Sequence, residues 1–133
     1  MKLPLPPLAA GALRVPMAAA SGSLLERPIP ASGDMIPVIG MGTSGSFEVG
    51  TDAAARDPLR EVLRRFVAGG ARLVDTSPSY GTAESVLGDL LAELKLRDQV
   101  FLATKLSSVG REAGAAQFAQ SLARLRTDKV ELL

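Results

Sequence analysis

Cysteine and histidine are both absent from this 133-residue chain, and tyrosine occurs once. Without cysteine there is no disulfide, no thiolate metal site and no cysteine nucleophile. Without histidine the chain holds no Ser-His-Asp triad, no imidazole metal ligand and no imidazole acid or base. Charge of one sign is not in excess: 15 Lys and Arg face 14 Asp and Glu, a net charge of +1. No broad basic field therefore gathers nucleic acid or an anionic membrane. No apolar run spans a bilayer, and Arg14 interrupts the one near the start. No Gly-x-Gly-x-x-Gly joins a strand to a helix, and no phosphate-loop Gly-Lys-Ser/Thr occurs. Proton chemistry is left to Tyr, Lys, Asp or Glu. The AVILMFWYC set makes up 47% of residues, which suffices for the core of one modest domain but not of two.

Residues 1–26 stand apart from the rest. They are rich in proline and alanine, with Lys2 near the start and Ala18-Ala19-Ala20 further on. The segment reads either as a disordered leader or as an export signal. Cytoplasmic location is the default, and a periplasmic one follows if residues 1–20 are a signal. The domain is assigned to residues 27–133. A hairpin is expected over 27–40, turning at Ser32-Gly33-Asp34, and a strand runs into Gly40-Met41-Gly42-Thr43. Residues 44–56 read as loop. A helix then starts at Asp57 as N-cap with Pro58 first. Its stripe is Leu59, Val62, Leu63, Phe66 and Val67, and Gly69-Gly70 stops it. A strand at 72–76 precedes a helix from Thr82 with Val86, Leu87, Leu90, Leu91 and Leu94 inward. Gly88 within it implies close packing, since it costs about 1 kcal/mol relative to Ala. A strand at 100–105, a loop at 107–114 and a third helix at 115–126 follow. That helix is expected to turn Ala115, Phe118, Ala119, Leu122 and Leu125 inward, and 130–133 begins a fourth strand.

Strands alternating with helices mean parallel βαβ units with right-handed crossovers. Either an open doubly wound sheet or a (β/α)8 barrel fits. A complete barrel takes about 250 residues, so the barrel reading implies its first half, strands 1 to 4.

Three polar residues fall where such folds put their chemistry, at the C-terminal ends of strands. Asp75 ends one strand, Tyr80 lies in the loop after it, and Lys105 ends the next. A phenol ionises near pH 10, too high for a good acid at neutral pH. A neighbouring ammonium favours its phenolate, and a carboxylate keeps the ammonium charged and aimed. The trio makes a proton donor without histidine, suited to an alkoxide forming on a carbonyl. Taken singly, each has a plainer explanation: Asp75 as a loop cap, Tyr80 as packing, Lys105 as a solvated charge.

Val74-Asp75-Thr76-Ser77-Pro78-Ser79-Tyr80-Gly81, followed by Glu84, Leu87 and Gly88, resembles the aldo-keto reductase signature. Ala103-Thr104-Lys105 looks like that family's lysine strand, and 121–133 like its helix-to-strand segment. Gly40-Met41-Gly42-Thr43 looks like its first barrel strand. The resemblance implies the N-terminal half of a (β/α)8 TIM barrel preceded by a hairpin. It implies an NADPH-dependent oxidoreductase that reduces aldehydes or ketones. Tyr80 would be the general acid, Lys105 would lower its pKa and Asp75 would pair with Lys105. Gly42, Thr43 and Asp75 would lie beside the nicotinamide ribose, and no metal is implied. The family's fourth catalytic position, usually histidine, and most of its cofactor cradle lie beyond the matched stretch. The chain is therefore expected to have little or no activity alone and to associate with itself through open sheet edges. The alternative is a non-catalytic half-barrel that acts by binding a partner.

Overall fold

The computed structural model describes residues 23–133, so the leader reading of residues 1–22 lies outside the described residues. The hairpin forms as expected. Strands β1 (Glu26–Pro28) and β2 (Met35–Pro37) pair antiparallel in a two-stranded sheet of their own. Gly33 turns between them at φ +80°, where a side chain would be strained.

The second sheet is parallel, in the order β3 (Gly40–Gly42), β4 (Leu73–Asp75), β5 (Phe101–Ala103). Met41, Val74 and Leu102 stand abreast in register, as do Gly42, Asp75 and Ala103. Spatial order follows chain order with no reversal, so right-handed crossovers stack every helix on one face. A doubly wound sheet reverses its strand order at some point, and no reversal occurs among the described strands. Val74 and Leu102 are fully buried and share one core with Leu59, Leu63, Leu87, Leu90, Leu91 and Leu125. The fourth strand is reduced to a single parallel bridge between Ala103 and Leu132. Residues 130–133 extend the sheet by hydrogen bonds from Glu131 and Leu132 to the Leu102 carbonyl, at 2.9 and 3.2 Å.

Helix α1 (Ala53–Ala68) starts five residues earlier than the sequence reading placed it. Its N-cap is Asp52, whose carboxylate accepts from the Ala54 and Ala55 amides at 2.9 and 3.3 Å. Pro58 sits inside the helix and removes one intrahelical bond. The loss is tolerated because Ala54 and Pro58 are both exposed and water can serve the freed carbonyl. Val62, expected inward, is 44% exposed; Leu59 and Leu63 carry the buried stripe. Helix α2 (Ala83–Leu94) follows its expected boundaries, with Val86, Leu87, Leu90 and Leu91 buried. Gly88 is where α2 meets the end of helix α3 (Arg111–Leu125). A Cβ there would stand 2.3 Å from the Arg124 carbonyl oxygen. Helix α3 also begins early, after Gly110 at φ +95°. Its buried residues are Gly114, Ser121 and Leu125, with Phe118 and Leu122 half-buried, while Ala115 and Ala119 face outward. The inward face is thus rotated from the expected one. No helix among the described residues is long and apolar enough to cross a membrane.

Candidate active site

The parallel register sets one rim of the sheet. All three strands run the same way, so the loops after β3, β4 and β5 emerge at one end. Asp75 is the last residue of β4 and lies abreast of Gly42 and Ala103. Lys105 follows two residues beyond Ala103. Its Nζ donates to both oxygens of Asp75, each at 2.7 Å, and to the Thr76 carbonyl at 2.9 Å. The same Nζ lies 5.2 Å from the centroid of the Tyr80 ring, within cation–π range. The three residues singled out in the sequence therefore meet at one place. The Asp75 carboxylate turns to Lys105, and three acceptor atoms hold Lys105. Lys105 and Asp75 side chains are each 44% exposed, so a molecule in solution can reach them.

Two influences oppose each other at Lys105. Burial disfavours its charge and is the largest single effect. The hydrogen bond and negative charge of Asp75, with smaller contributions from Tyr80, outweigh it together and hold the ammonium above lysine's ordinary range.

The Tyr80 loop is tightly built. The Tyr80 amide donates to Ser77 and its carbonyl accepts from Ala83, at 3.1 and 2.8 Å. Its ring is half-buried against the core. Gly81 next to it needs glycine for its backbone: its φ is +46°, a conformation strained for any other residue. Thr82 accepts from the Gly50 amide at 3.0 Å and so ties this loop to the one after β3.

The candidate cofactor residues behave differently from one another. Gly42 is exposed beside Asp75, and a Cβ there would meet nothing within 4 Å. It borders open space at the rim where a flat group has room. Thr43 is fully buried, and both its amide and its hydroxyl donate to the Asp75 carbonyl at 3.1 Å. Its side chain braces the Asp75 backbone. Among the described residues no cluster of carboxylates could hold a metal ion. A surface cleft lined by Arg97, Leu122, Arg126 and Lys129 lies at the opposite end of the strands. It touches none of the rim residues, so the chemistry is argued from the rim.

Sequence reasoning gave no role to two features. One is the Thr76 carbonyl as a third acceptor for Lys105, which no side-chain pattern reports. The other is Glu84, almost fully buried and bonded to Thr104, Ser121 and Arg124. Its signal was present: a carboxylate four residues before Gly88, on the helix face that touches α3.

The model of the Aldo/keto reductase family matches residues 38–133. Methylglyoxal reductase YeaE of Escherichia coli strain K12 is 35% identical over 112 residues, covering 80% of this chain and 38% of that protein. Aldo-keto reductase YhdN of Bacillus subtilis strain 168 is 35% identical over 109 residues, covering 71% of this chain and 32% of that protein. In three dimensions the chain resembles an aldo/keto reductase from Klebsiella pneumoniae crystallised in complex with NADP and acetate. The TM-score is 0.64 at 32% identity, over 74% of this chain and 34% of that one. The chain thus spans 38% or less of the length of these relatives, and its parallel sheet is an unclosed part of their TIM barrel. With the family model covering every βα unit described above, the chain belongs to the Aldo/keto reductase family.

Proposed function

We propose that residues 27–133 are the first part of a barrel that reduces aldehydes or ketones with NADPH, and that Tyr80 is its general acid. The observation that carries this reading is the position of Lys105 Nζ, 2.7 Å from both Asp75 oxygens and 5.2 Å from the Tyr80 ring centroid. Asp75 holds the ammonium in place. The ammonium in turn favours the negative charge left on the Tyr80 oxygen as its proton departs. That proton goes to the carbonyl oxygen as it gains charge, so the interaction is strongest in the transition state and acts on kcat.

The open space beside Gly42 and Asp75 fits a nicotinamide ribose. Gly42 and Asp75 would border it, and Thr43 would keep the Asp75 backbone in place. NADPH, when bound, supplies the hydride that reaches the carbonyl carbon. Two relatives support this assignment: one is a methylglyoxal reductase, and one was crystallised with NADP.

A second reading is a non-catalytic partial barrel that acts by interaction, including with a second copy of itself. The edge of β3, unpaired among the described residues, favours it, because unpaired backbone groups template further pairing. NADPH fluorescence separates the two. Residues 1–133 alone should show no saturation below about 1 mM, which corresponds to about −4 kcal/mol. The same residues joined to the C-terminal barrel portion of a family member should saturate in the micromolar range. A joined barrel that is folded but fails to bind NADPH would favour the interaction reading.

A further inference from the structure

Glu84 is a buried carboxylate that the proposed chemistry does not use. Its side chain is 2% exposed. The two oxygens are divided between partners. Oε1 accepts from the Thr104 hydroxyl at 2.7 Å. Oε2 accepts from the Ser121 hydroxyl at 3.1 Å and from Arg124 Nε at 2.7 Å. A charge so far from water is costly unless it is paired and fully hydrogen-bonded. Here it is both, and its place in the first turn of α2 adds the favourable end of the helix dipole.

The partners differ in what they reach. Ser121 and Arg124 belong to α3 and hold the carboxylate against that helix. Thr104 is the residue immediately before Lys105. The ladder between β4 and β5 ends at Asp75 and Ala103, so Thr104 and Lys105 run beyond it. Among the described residues, the stem is held before the Lys105 tip by the Thr104 amide, which donates to the Leu132 carbonyl at 3.1 Å, and by the Thr104 hydroxyl, which donates to Glu84. Glu84 itself stands four residues after Tyr80, in the helix whose first amide, that of Ala83, caps the Tyr80 carbonyl. One carboxylate thus joins the helix start that carries the phenol to the strand end that carries the ammonium.

We propose that Glu84 is a positioning residue: through Thr104 it sets the distance between Tyr80 and Lys105. The inference rests on the reading of those two residues as the site. Its mechanism is geometric. The hydroxyl bond fixes the Thr104 side-chain rotamer and with it the direction in which the next residue leaves the strand. Ser121 and Arg124 keep the carboxylate from following any movement of that stem.

The test uses the whole chain and needs no turnover, so it fails separately from the reductase reading. The lysines are Lys2, Lys95, Lys105 and Lys129, and Tyr80 is the sole tyrosine. In protein labelled with 13C-lysine, the Lys105 ε-methylene should be displaced by the Tyr80 ring and show a through-space contact to it. Loss of the signal in Lys105→Arg assigns it. Thr104→Val removes the hydroxyl at nearly constant shape. It should move the Lys105 signal at least halfway toward those of Lys95 and Lys129 and abolish the Tyr80 contact. Thr104→Ser keeps a donor in place and should leave both as in the wild type. Ser121→Ala removes a partner of the same carboxylate on the α3 side. It should lower the unfolding midpoint without moving the Lys105 signal, whereas a purely structural staple would show the same Lys105 response to Thr104→Val and Ser121→Ala. If Thr104→Val lacks a dispersed amide spectrum, Thr104→Ala carries the comparison. An unmoved Lys105 signal in the hydroxyl-free variant overturns the proposal. So does a Thr104→Ser signal displaced as far as that of Thr104→Val.

Discussion

Lys105 is the residue on which the site turns, and its charge has a consequence for stability. A lysine whose ammonium is favoured by folding contributes stability that is whole below its unfolded pKa. That contribution fades as pH rises through the higher folded value. Lys105 is held above its ordinary 10.5 by Asp75 and Tyr80 against burial. The difference in unfolding free energy between wild type and Lys105→Met should therefore stay flat between about pH 6 and about pH 9. It should shrink only above 10.5, the ordinary lysine value. Denaturant titrations at spaced pH values measure it, and a difference that already falls between pH 7 and 9 would contradict the assigned pairing. At this scale Asp75, Tyr80 and Lys105 were legible because strand ends place their polar residues at a shared rim. The bracing of Asp75 by Thr43 was not, because a buried hydroxyl aimed at a carbonyl leaves no trace in spacing. Glu84 was visible as a member of the motif after Tyr80, but its buried partners Thr104, Ser121 and Arg124 were not.

Among the elements, α1 shows how a strong local pattern can mislead. Asp57-Pro58 has the form of a helix start, yet Asp52 caps the helix and Asp57 instead meets Arg60 at 2.7 Å on the surface. Ala53, Ala54 and Ala55 are strong helix formers and extend the helix past the proline. Asp52→Ala should cost about 1 kcal/mol in chemical denaturation. Asp57→Ala should cost less, since its partner is an exposed ion pair worth about 0–1 kcal/mol. The reverse order would restore the proline start. In α3 the glycines at 110 and 114 read as loop, but Gly110 is the N-cap and Gly114 lies buried inside. Burial of glycine against a neighbour is a tertiary fact that propensity does not carry. Gly88 was legible for the opposite reason: a glycine in an otherwise strong helix implies contact. On an open helix Gly88→Ala would gain about 1 kcal/mol. Here the added methyl meets the Arg124 carbonyl at 2.3 Å, and overpacking of about 1–3 kcal/mol or more outweighs that gain. A lowered thermal midpoint checks the sign, and a raised one would mean that α2 and α3 do not touch there.

At the scale of the whole molecule, strand order carries the architecture. Because β3, β4 and β5 follow one another without reversal, the helices cover one face and the loops after the strands collect at one rim. The alternation of strands and helices made this legible, and the motif around Tyr80 selected the barrel over the open sheet. The beginning of the fourth strand was legible too, since Leu132 bridges in parallel to Ala103 and Glu131 and Leu132 donate to the Leu102 carbonyl. Joined to the C-terminal barrel portion of a family member, the chain gives the most direct test of the central claim: NADPH oxidation with an aldehyde acceptor, measured for wild type and Tyr80→Phe at equal folded fraction. The account predicts turnover in the wild type and a loss of about 10²–10⁴-fold in kcat for Tyr80→Phe, with NADPH affinity unchanged. Equal turnover in the two proteins, or none in a folded, NADPH-binding wild type, would contradict it.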